Sequence, residues 1–506
     1  MENIYRKLLK KTDLRANLIQ LKQLLKTEKG RREFEKLSGK NYDFLMRFLV
    51  EEDPKVRKNA AEILGALHCD AAVDVLYDAY EAEDTLFIRG DYVDAMNMLD
   101  CREYLNDFKE RLKKLEETQP APEERKHVER EKKALRQLIL DKEGLKKHTF
   151  CGYERENEVI LTTMRAFRSM TAKEVSKSTG KPAVKTGAGV KLRVDDLNTI
   201  LGIRTFKELL FAIHKKDPSG AGLLLPPDGE KMAKMLKESD MMELIEKNHV
   251  EKGPFYFRIG IQTRQHPQEK ASLAKEAAAA LERSFQGKLI NSASHYEIEL
   301  RLVQDKEGNY YPCLKFFTIP DHRFDYRRYH ISAGMQPFMA AGIIGLAGPW
   351  LKEEAQVMDP FCGAGTLLVE RSYYSHTKSS YGTDIFGEAI AKARANARIA
   401  GMPIHFINRD FMDFKHDYLF DEIVTDMPDQ SQQSRADVKN MYGGFLNKSA
   451  QVLKEGGVAV VYTKEPAAIK EALESRKEFH MEKEYCISEK NNGYLYIIRY
   501  RQGERT

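Results

Sequence analysis

From Gln356 onward, short apolar runs alternate with helical stretches, and this alternation constrains the fold more than any other feature of the chain. Gln356–Met358, Ser380–Thr383, His405–Asn408, Glu422–Thr425 and Val458–Tyr462 predict strands, and Leu367–Tyr374, Glu388–Ala400 and Asp437–Leu453 predict helices between them. Repetition of this kind builds a mostly parallel sheet with helices on both faces. The end departs from it: Tyr485–Ile487 and Tyr494–Ile498, joined through Asn491-Asn492-Gly493, predict an antiparallel pair.

Between the first strand and the first helix lies Asp359-Pro360-Phe361-Cys362-Gly363-Ala364-Gly365-Thr366. Glycines at this turn let the backbone approach a ligand, and the helix that follows offers free N–H groups. A Gly-Ala-Gly alone is weak, and Gly187-Ala188-Gly189 repeats it in a basic loop. Its company is stronger. Asp384 ends the second strand 25 residues after Asp359, where a carboxylate can accept from a ribose diol. Asp410 ends the third strand and Asp426 the fourth, at the strand ends where ligands bind. A nicotinamide or flavin site would want Gly-x-Gly-x-x-Gly, and the third glycine position here is Leu368. Cys362 has no base nearby in sequence and reads as a packed residue.

These motifs, with Gly382-Thr383-Asp384-Ile385 and the Ala393-x-x-Asn396 helix, resemble the class I methyltransferases of the THUMP-containing RNA family. Ile160-Leu161-Thr162 with Ile203-Arg204-Thr205 resembles that family's ferredoxin-like segment. Arg323 to Arg328, followed by Gln336-Pro337, resembles its join to the catalytic domain. The resemblance implies S-adenosylmethionine as cofactor and methylation of the exocyclic N2 of guanine in tRNA or ribosomal RNA. It implies a cofactor site of Asp359, Phe361, Gly363, Gly365, Thr366, Asp384, Ile385, Asp410 and Phe411, with Gly363 and Gly365 facing the methionine part. Asp384 would meet the ribose and Asp410 the adenine. Asp426 and Pro428 would act on the acceptor, and Arg323, Arg327 and Arg328 would touch RNA.

One departure is visible. The family carries Asp or Asn, two prolines and an aromatic after the fourth strand, and this chain has Asp426-Met427-Pro428-Asp429. The aromatic would stack on a flipped base, a contact worth ~1–3 kcal/mol. Its loss weakens base capture about tenfold to a hundredfold unless Tyr442 or Phe445 substitutes. Two other readings stay open: a different acceptor atom, or a non-catalytic RNA-binding adaptor that keeps the pocket.

Upstream, Asp53-Pro54-Lys55-Val56-Arg57 opens a helical pattern, and Asp84 to Arg89 repeats its Asp…apolar-Arg order, which resembles HEAT repeats. Residues 1–115 therefore predict a helical-repeat domain offering a protein- or RNA-binding surface. Residues 116–149 predict a charged helical linker. Residues 150–330 predict an α+β ferredoxin-like/THUMP-like region, with strands at Val159–Thr163, Val190–Val194, Phe255–Ile259 and Tyr296–Leu302 and helices at Ala172–Ser178, Leu197–Ile213 and Ser272–Phe285. Residues 331–506 predict the Rossmann-like methyltransferase domain. Lys177, Lys181, Lys185, Lys191 and Arg193 add candidate phosphate contacts.

A net charge of +5 over 506 residues does not by itself call for nucleic acid, although residues 1–40 hold twelve Lys/Arg against five Asp/Glu. The six cysteines show no ligand spacing, which argues against zinc and disulfides and for a cytoplasmic protein. Ile331–Leu351 lacks charge and is long enough to span a bilayer, but its prolines, glycines, Ser332 and Gln336 favour a buried helix over a membrane segment.

Overall fold

The capped helices near the N-terminus belong to a first unit, residues 1–147, and residues 148–506 form a second. The computed structural model describes all residues except 218–221, 264, 333, 429–433 and 502–506.

In the first unit the Pro54–Ala66 helix starts as its sequence dictates. The Asp53 carboxylate accepts from the Lys55 N–H at 2.8 Å, and Pro54 fills the first turn. The repeated arginines play repeated roles. Arg57 donates through Nη1 to the carbonyl of Glu51 (2.8 Å), and Arg89 likewise to Glu83 (2.7 Å), six residues back in each case. Each guanidinium then meets a buried carboxylate further along the chain, Arg57 on Glu83 and Arg89 on Glu131. Burial pushes Glu131 up, but Arg111, Tyr80 and Arg89 together hold it below the usual carboxylate range. Glu131 lies on the Arg125–Glu143 helix, expected from its charge density to be an exposed linker. That expectation is corrected here: Val128, Ala134, Leu135 and Leu138 are buried in one core with Leu64, Ile88 and Phe108.

The second unit holds two sheets. The first comprises β1 (Asn157–Thr162), β2 (Val184–Lys185), β3 (Gly189–Val194), β4 (Glu208–Ala212), β5 (Phe255–Gln262), β6 (Leu289–Asn291), β7 (Ile298–Gln304) and β8 (Tyr310–Phe316). Their order is β2-β3-β1-β4-β8-β7-β5-β6, so pairing of Phe211 with Leu314 joins two halves into one sheet. The expected helix over Leu197–Ile213 is two elements, a short helix Asn198–Leu201 and strand β4.

The second sheet is the alternating one: β9 (Ala355–Asp359), β10 (Thr377–Asp384), β11 (Ile404–Asn408), β12 (Phe420–Asp426), β13 (Leu453–Thr463), β14 (Phe479–Ser488) and β15 (Gly493–Tyr500). The order is β11-β10-β9-β12-β13-β15-β14, with β9 to β13 parallel and β15 antiparallel to both neighbours. Because β9 and β12 lie side by side at the centre, the chain reverses its direction of winding there, which opens a crevice beyond their carboxyl ends.

The Pro337–Ala347 helix is buried, and at Gly342 a Cβ would come within 2.2 Å of the Phe167 ring, so glycine admits that ring from the Arg165–Phe167 turn. Among the described residues no helix is long and apolar enough to cross a membrane.

Candidate functional site

Strand β9 delivers Asp359 to the floor of the crevice, 2 % exposed, where it accepts from the Phe361 N–H (3.1 Å) and the Thr425 hydroxyl (2.9 Å). Burial, reinforced by the charges of Asp426 and Asp384, pushes its carboxyl up to about 8. Burial thus disfavours the charged form of Asp359, while its two hydrogen bonds brace the loop.

The loop then turns through left-handed conformations at Gly363 (φ 51°) and Gly365 (φ 79°). At Gly365 a Cβ would lie 2.8 Å from the Phe406 ring and 3.2 Å from the Ala393 Cβ. Gly365 lets the helix start tightly on the sheet, and its neighbours Ala364 and Thr366 line the cavity. Gly363 does line it. Cys362 is buried, and burial raises its thiol well above the ordinary range, in keeping with a packing role.

Asp384 at the end of β10 accepts from the Gly363 N–H through Oδ2 (3.0 Å) and from the Phe386 N–H through Oδ1 (2.9 Å). Each oxygen keeps a lone pair for a further donor. Beside it Ile385 stands 62 % exposed, an apolar surface left to water. Asp410 caps the turn Phe411–Asp413 by accepting from the Met412 N–H at 2.9 Å, and Phe411 is buried against the Phe361 and Phe445 rings.

A cavity of about 820 Å³ runs past Asp359, Phe361, Gly363, Thr366, Asp384, Ile385, Asp410, Phe411, Asp426 and Pro428. Ten of the eleven residues expected at the cofactor and acceptor sites thus share one hollow, of a size usual for small-molecule sites. Residues not anticipated also line it: Ile331 and Met335, then Arg409, Asn440 and Met441, and Lys464 with Glu465. Lys464 and Glu465 follow β13, so the rule that ligands gather at the carboxyl ends of parallel strands would have found them. Ile331 and Met335 carry no such signal.

Burial decides what three of the remaining residues can reach. Tyr442 and Phe445 are fully buried, with Tyr442 hydrogen-bonded to the Thr463 hydroxyl, so neither can stack on a base. Asp429 lies outside the described residues. Arg323 is buried and spends its guanidinium internally, on Asp321 (2.7 and 2.8 Å) and on the carbonyls of Ile203 and Phe206, with its Cζ 3.7 Å from the centroid of the Phe206 ring. It is a structural clamp and not an RNA contact. Arg327 is half-buried, and Arg328 is exposed. Of the basic residues around the second Gly-Ala-Gly, Lys181 pairs with Asp195, and Lys191 and Arg193 with Glu158.

Residues 325–491 match the model of the UPF0020 family, described as RMKL-like, methyltransferase domain. These residues form a methyltransferase domain.

Within the domain, S-adenosylmethionine is the cofactor that the fold implies, and the donor set fits it: carboxylates at the ends of β10 and β11, glycine at the loop, and the uncovered Ile385. A tRNA (guanine(10)-N2)-dimethyltransferase of Methanothermobacter thermautotrophicus is 30% identical over 135 residues, 26% of this chain and 39% of that protein. The chain thus spans about two fifths of that relative's length. The crystal structure of TrmN from Thermus thermophilus aligns with a TM-score of 0.51 at 19% identity, covering 68% of this chain and 99% of that one. SMU.472, solved in complex with SAH, gives 0.51 at 14% identity, covering 69% of this chain and 100% of the other. Coverage of this extent exceeds what residues 325–491 alone supply, so the likeness of fold reaches into the first sheet.

Proposed function

We propose that the chain is an S-adenosylmethionine-dependent RNA methyltransferase acting on the exocyclic amine of a guanine in tRNA or another structured RNA. The observation that carries this reading is that Asp426 and Pro428, at the end of β12, line the same cavity as Asp384, Ile385 and Asp410. The activity named for the Methanothermobacter relative supports it.

When bound, the cofactor supplies an activated methyl group, so the protein's task is to position an acceptor in line with it. Asp384 would accept from the ribose hydroxyls through its remaining lone pairs, and Asp410 from the adenine amine. Ile385 would cover one adenine face. At the other end an exocyclic amine is a weak nucleophile, because its lone pair is delocalised into the ring. The Asp426 carboxylate would accept a hydrogen bond from that amine, orient its lone pair and take its proton as the new bond forms. Pro428 would stiffen the turn that holds the acceptor. The first sheet of the second unit would act as the THUMP-like module, with Arg328 as an exposed phosphate contact. The first unit, with its repeated arginine clamps, would be a HEAT-like surface for a protein or RNA partner.

A second reading keeps the enzyme and changes the acceptor atom. The burial of Tyr442 and Phe445 favours it, since neither residue can take the place of the stacking aromatic. Nucleoside mass spectrometry of RNA from a strain lacking the gene tests both. Loss of an N2-methylguanosine at one position supports the first reading. Loss of a different methylated nucleoside would replace it with the second, and an unchanged profile would overturn both.

A further inference from the structure

A row of cations runs along the helix that packs beside β2 and β3. The Arg168–Thr179 helix follows the Arg165–Phe167 turn, and Arg165, Ser169, Lys173 and Lys177 recur every four residues, all exposed. That spacing sets them on one side, roughly 20 Å from end to end. Lys185 on β2 joins the row by donating to the Ser169 hydroxyl at 3.3 Å. Arg168, at the root of the row, donates through Nη2 to the Gly187 carbonyl in the second Gly-Ala-Gly loop. Among the described residues Arg168, Lys173, Lys177 and Lys185 form no ion pair, whereas Lys181, Lys191 and Arg193 are spent on Asp195 and Glu158. Arg165 meets Glu489 at 3.6 Å, but both side chains are largely exposed, so that pair neutralises little.

Burial lowers the Arg168 pKa, and the charge of Arg165 adds to the effect. Its Nε is buried and meets no acceptor among the described residues. Like charges held together are a cost that a bound anion relieves. The one carboxylate of the helix, Glu174, does not supply it: half-buried, it accepts from the Thr205 hydroxyl at 2.7 Å. Composition says which kind of anion. The row offers Lys, Arg and Ser without an aromatic ring, whereas protein–protein interfaces are depleted in Lys and enriched in Tyr, Trp and Phe. A line of compact positive charges suits the repeated phosphates of a polynucleotide. The row is also fixed relative to the cavity. Phe167, between Arg165 and Arg168, is fully buried and packs at Gly342, and Met170 packs at Gly345 one turn further along the Pro337–Ala347 helix. Both interlock with the helix that leads into β9.

We propose that Arg165, Lys173, Lys177 and Lys185, with Arg168 at their root, hold the phosphate backbone of the RNA outside the catalytic cavity. The inference rests on the RNA reading above and adds to it the surface that carries the RNA. Contacts to phosphates carry no base information, so the row fixes the position of the RNA while the cavity selects the base. The paired residues Lys181, Lys191 and Arg193 take no part.

The test measures binding of labelled, unmodified total tRNA to the full-length protein across a salt series. A triple variant of the row, Lys173→Gln with Lys177→Gln and Lys185→Gln, is compared with Lys181→Gln, Lys191→Gln and Arg193→Gln combined, which removes the same charge from paired residues. The row variant should weaken binding about tenfold to a hundredfold and flatten the slope of log affinity against log salt by about 2–3, just under one unit per lost phosphate contact. The paired variant should stay within about threefold of wild type. Circular dichroism and titration of S-adenosylhomocysteine confirm that both variants are folded with the cavity intact. Equal losses in the two variants would mean that net charge alone attracts the RNA, and full tRNA affinity in the row variant would mean that the row does not touch it; each result overturns the proposal. Full tRNA affinity together with lost binding of poly-glutamate would give the row to an acidic protein partner instead. A wild type that binds S-adenosylhomocysteine but no tRNA would overturn the RNA reading itself, and this inference with it, and leave the methyltransferase domain standing.

Discussion

Replacing Asp384 by Asn tests the adenosine half of the site with little change of shape. The carboxylate accepts from two backbone N–H groups, Gly363 at 3.0 Å and Phe386 at 2.9 Å. An Asn side chain has one carbonyl oxygen and can satisfy only one of them, so the other N–H faces an amide NH2. Leaving one such group unpaired costs ~1–3 kcal/mol. The same substitution removes the charge that would accept from the ribose hydroxyls, worth a further ~1.5–3 kcal/mol per charged hydrogen bond. Part of the first cost falls on the free protein. A net loss of about 3–4 kcal/mol in binding, or roughly a hundredfold to a thousandfold in Kd, is therefore expected. Calorimetric titration of S-adenosylhomocysteine at pH 7 measures it, with circular dichroism to confirm folding. A folded Asp384→Asn protein binding within threefold of wild type would refute the assignment of Asp384 to the ribose.

Three further perturbations follow from other parts of the fold. Gly365→Ala forces a Cβ to 2.8 Å from the Phe406 ring at φ 79°, so overpacking and left-handed strain should together destabilise by about 2–4 kcal/mol; a fall in Tm of several degrees would register it, and an unchanged Tm would contradict it. Glu370 is buried between Arg204 (2.7 and 2.8 Å) and the Tyr326 hydroxyl (2.7 Å), and Glu370→Ala should cost about 3–5 kcal/mol in denaturant melts, with Glu370→Gln costing less. The Asp359 carboxyl has its folded-state pKa raised to about 8, above the ~3.9 of an unfolded chain, so its stabilising contribution is complete below about pH 4 and is lost as pH rises through about 8. Asp359→Asn should flatten the decline of Tm across that window, and an identical decline in the variant would rule Asp359 out as its source.

How much of this was legible in the sequence differs by region. The catalytic sheet was legible because buried parallel strands read as short apolar runs and the glycine loop marks the first crossover. The error over Leu197–Ile213 has a physical source. Phe206, Leu209, Leu210 and Ile213 fall at the spacing of a helical face, yet they lie at and around a central strand whose apolar positions need no alternation. The Arg125–Glu143 helix was misread because its charges outnumber its apolar residues, while Glu131 and Lys132 are themselves buried, Glu131 on Tyr80, Arg89 and Arg111. Arg323, Arg327 and Arg328 look alike in sequence. Only the folded chain separates a clamp on backbone carbonyls, a half-buried cation beside the glycine loop and a solvated side chain, because long arginine side chains find their partners across the fold. Ile331 and Met335 reach the cavity the same way, through a tertiary route that local spacing does not encode.

The central claim is methyl transfer to RNA through the carboxylate at the end of β12. Single-turnover transfer of a labelled methyl group from S-adenosylmethionine onto unmodified total tRNA tests it most directly, with Asp426→Ala as the paired variant. Stoichiometric labelling by the wild type and a loss of at least a hundredfold in the variant, with S-adenosylhomocysteine affinity retained, are the expected results. Tight binding of S-adenosylhomocysteine without any transfer, or transfer that survives Asp426→Ala unchanged, would contradict it.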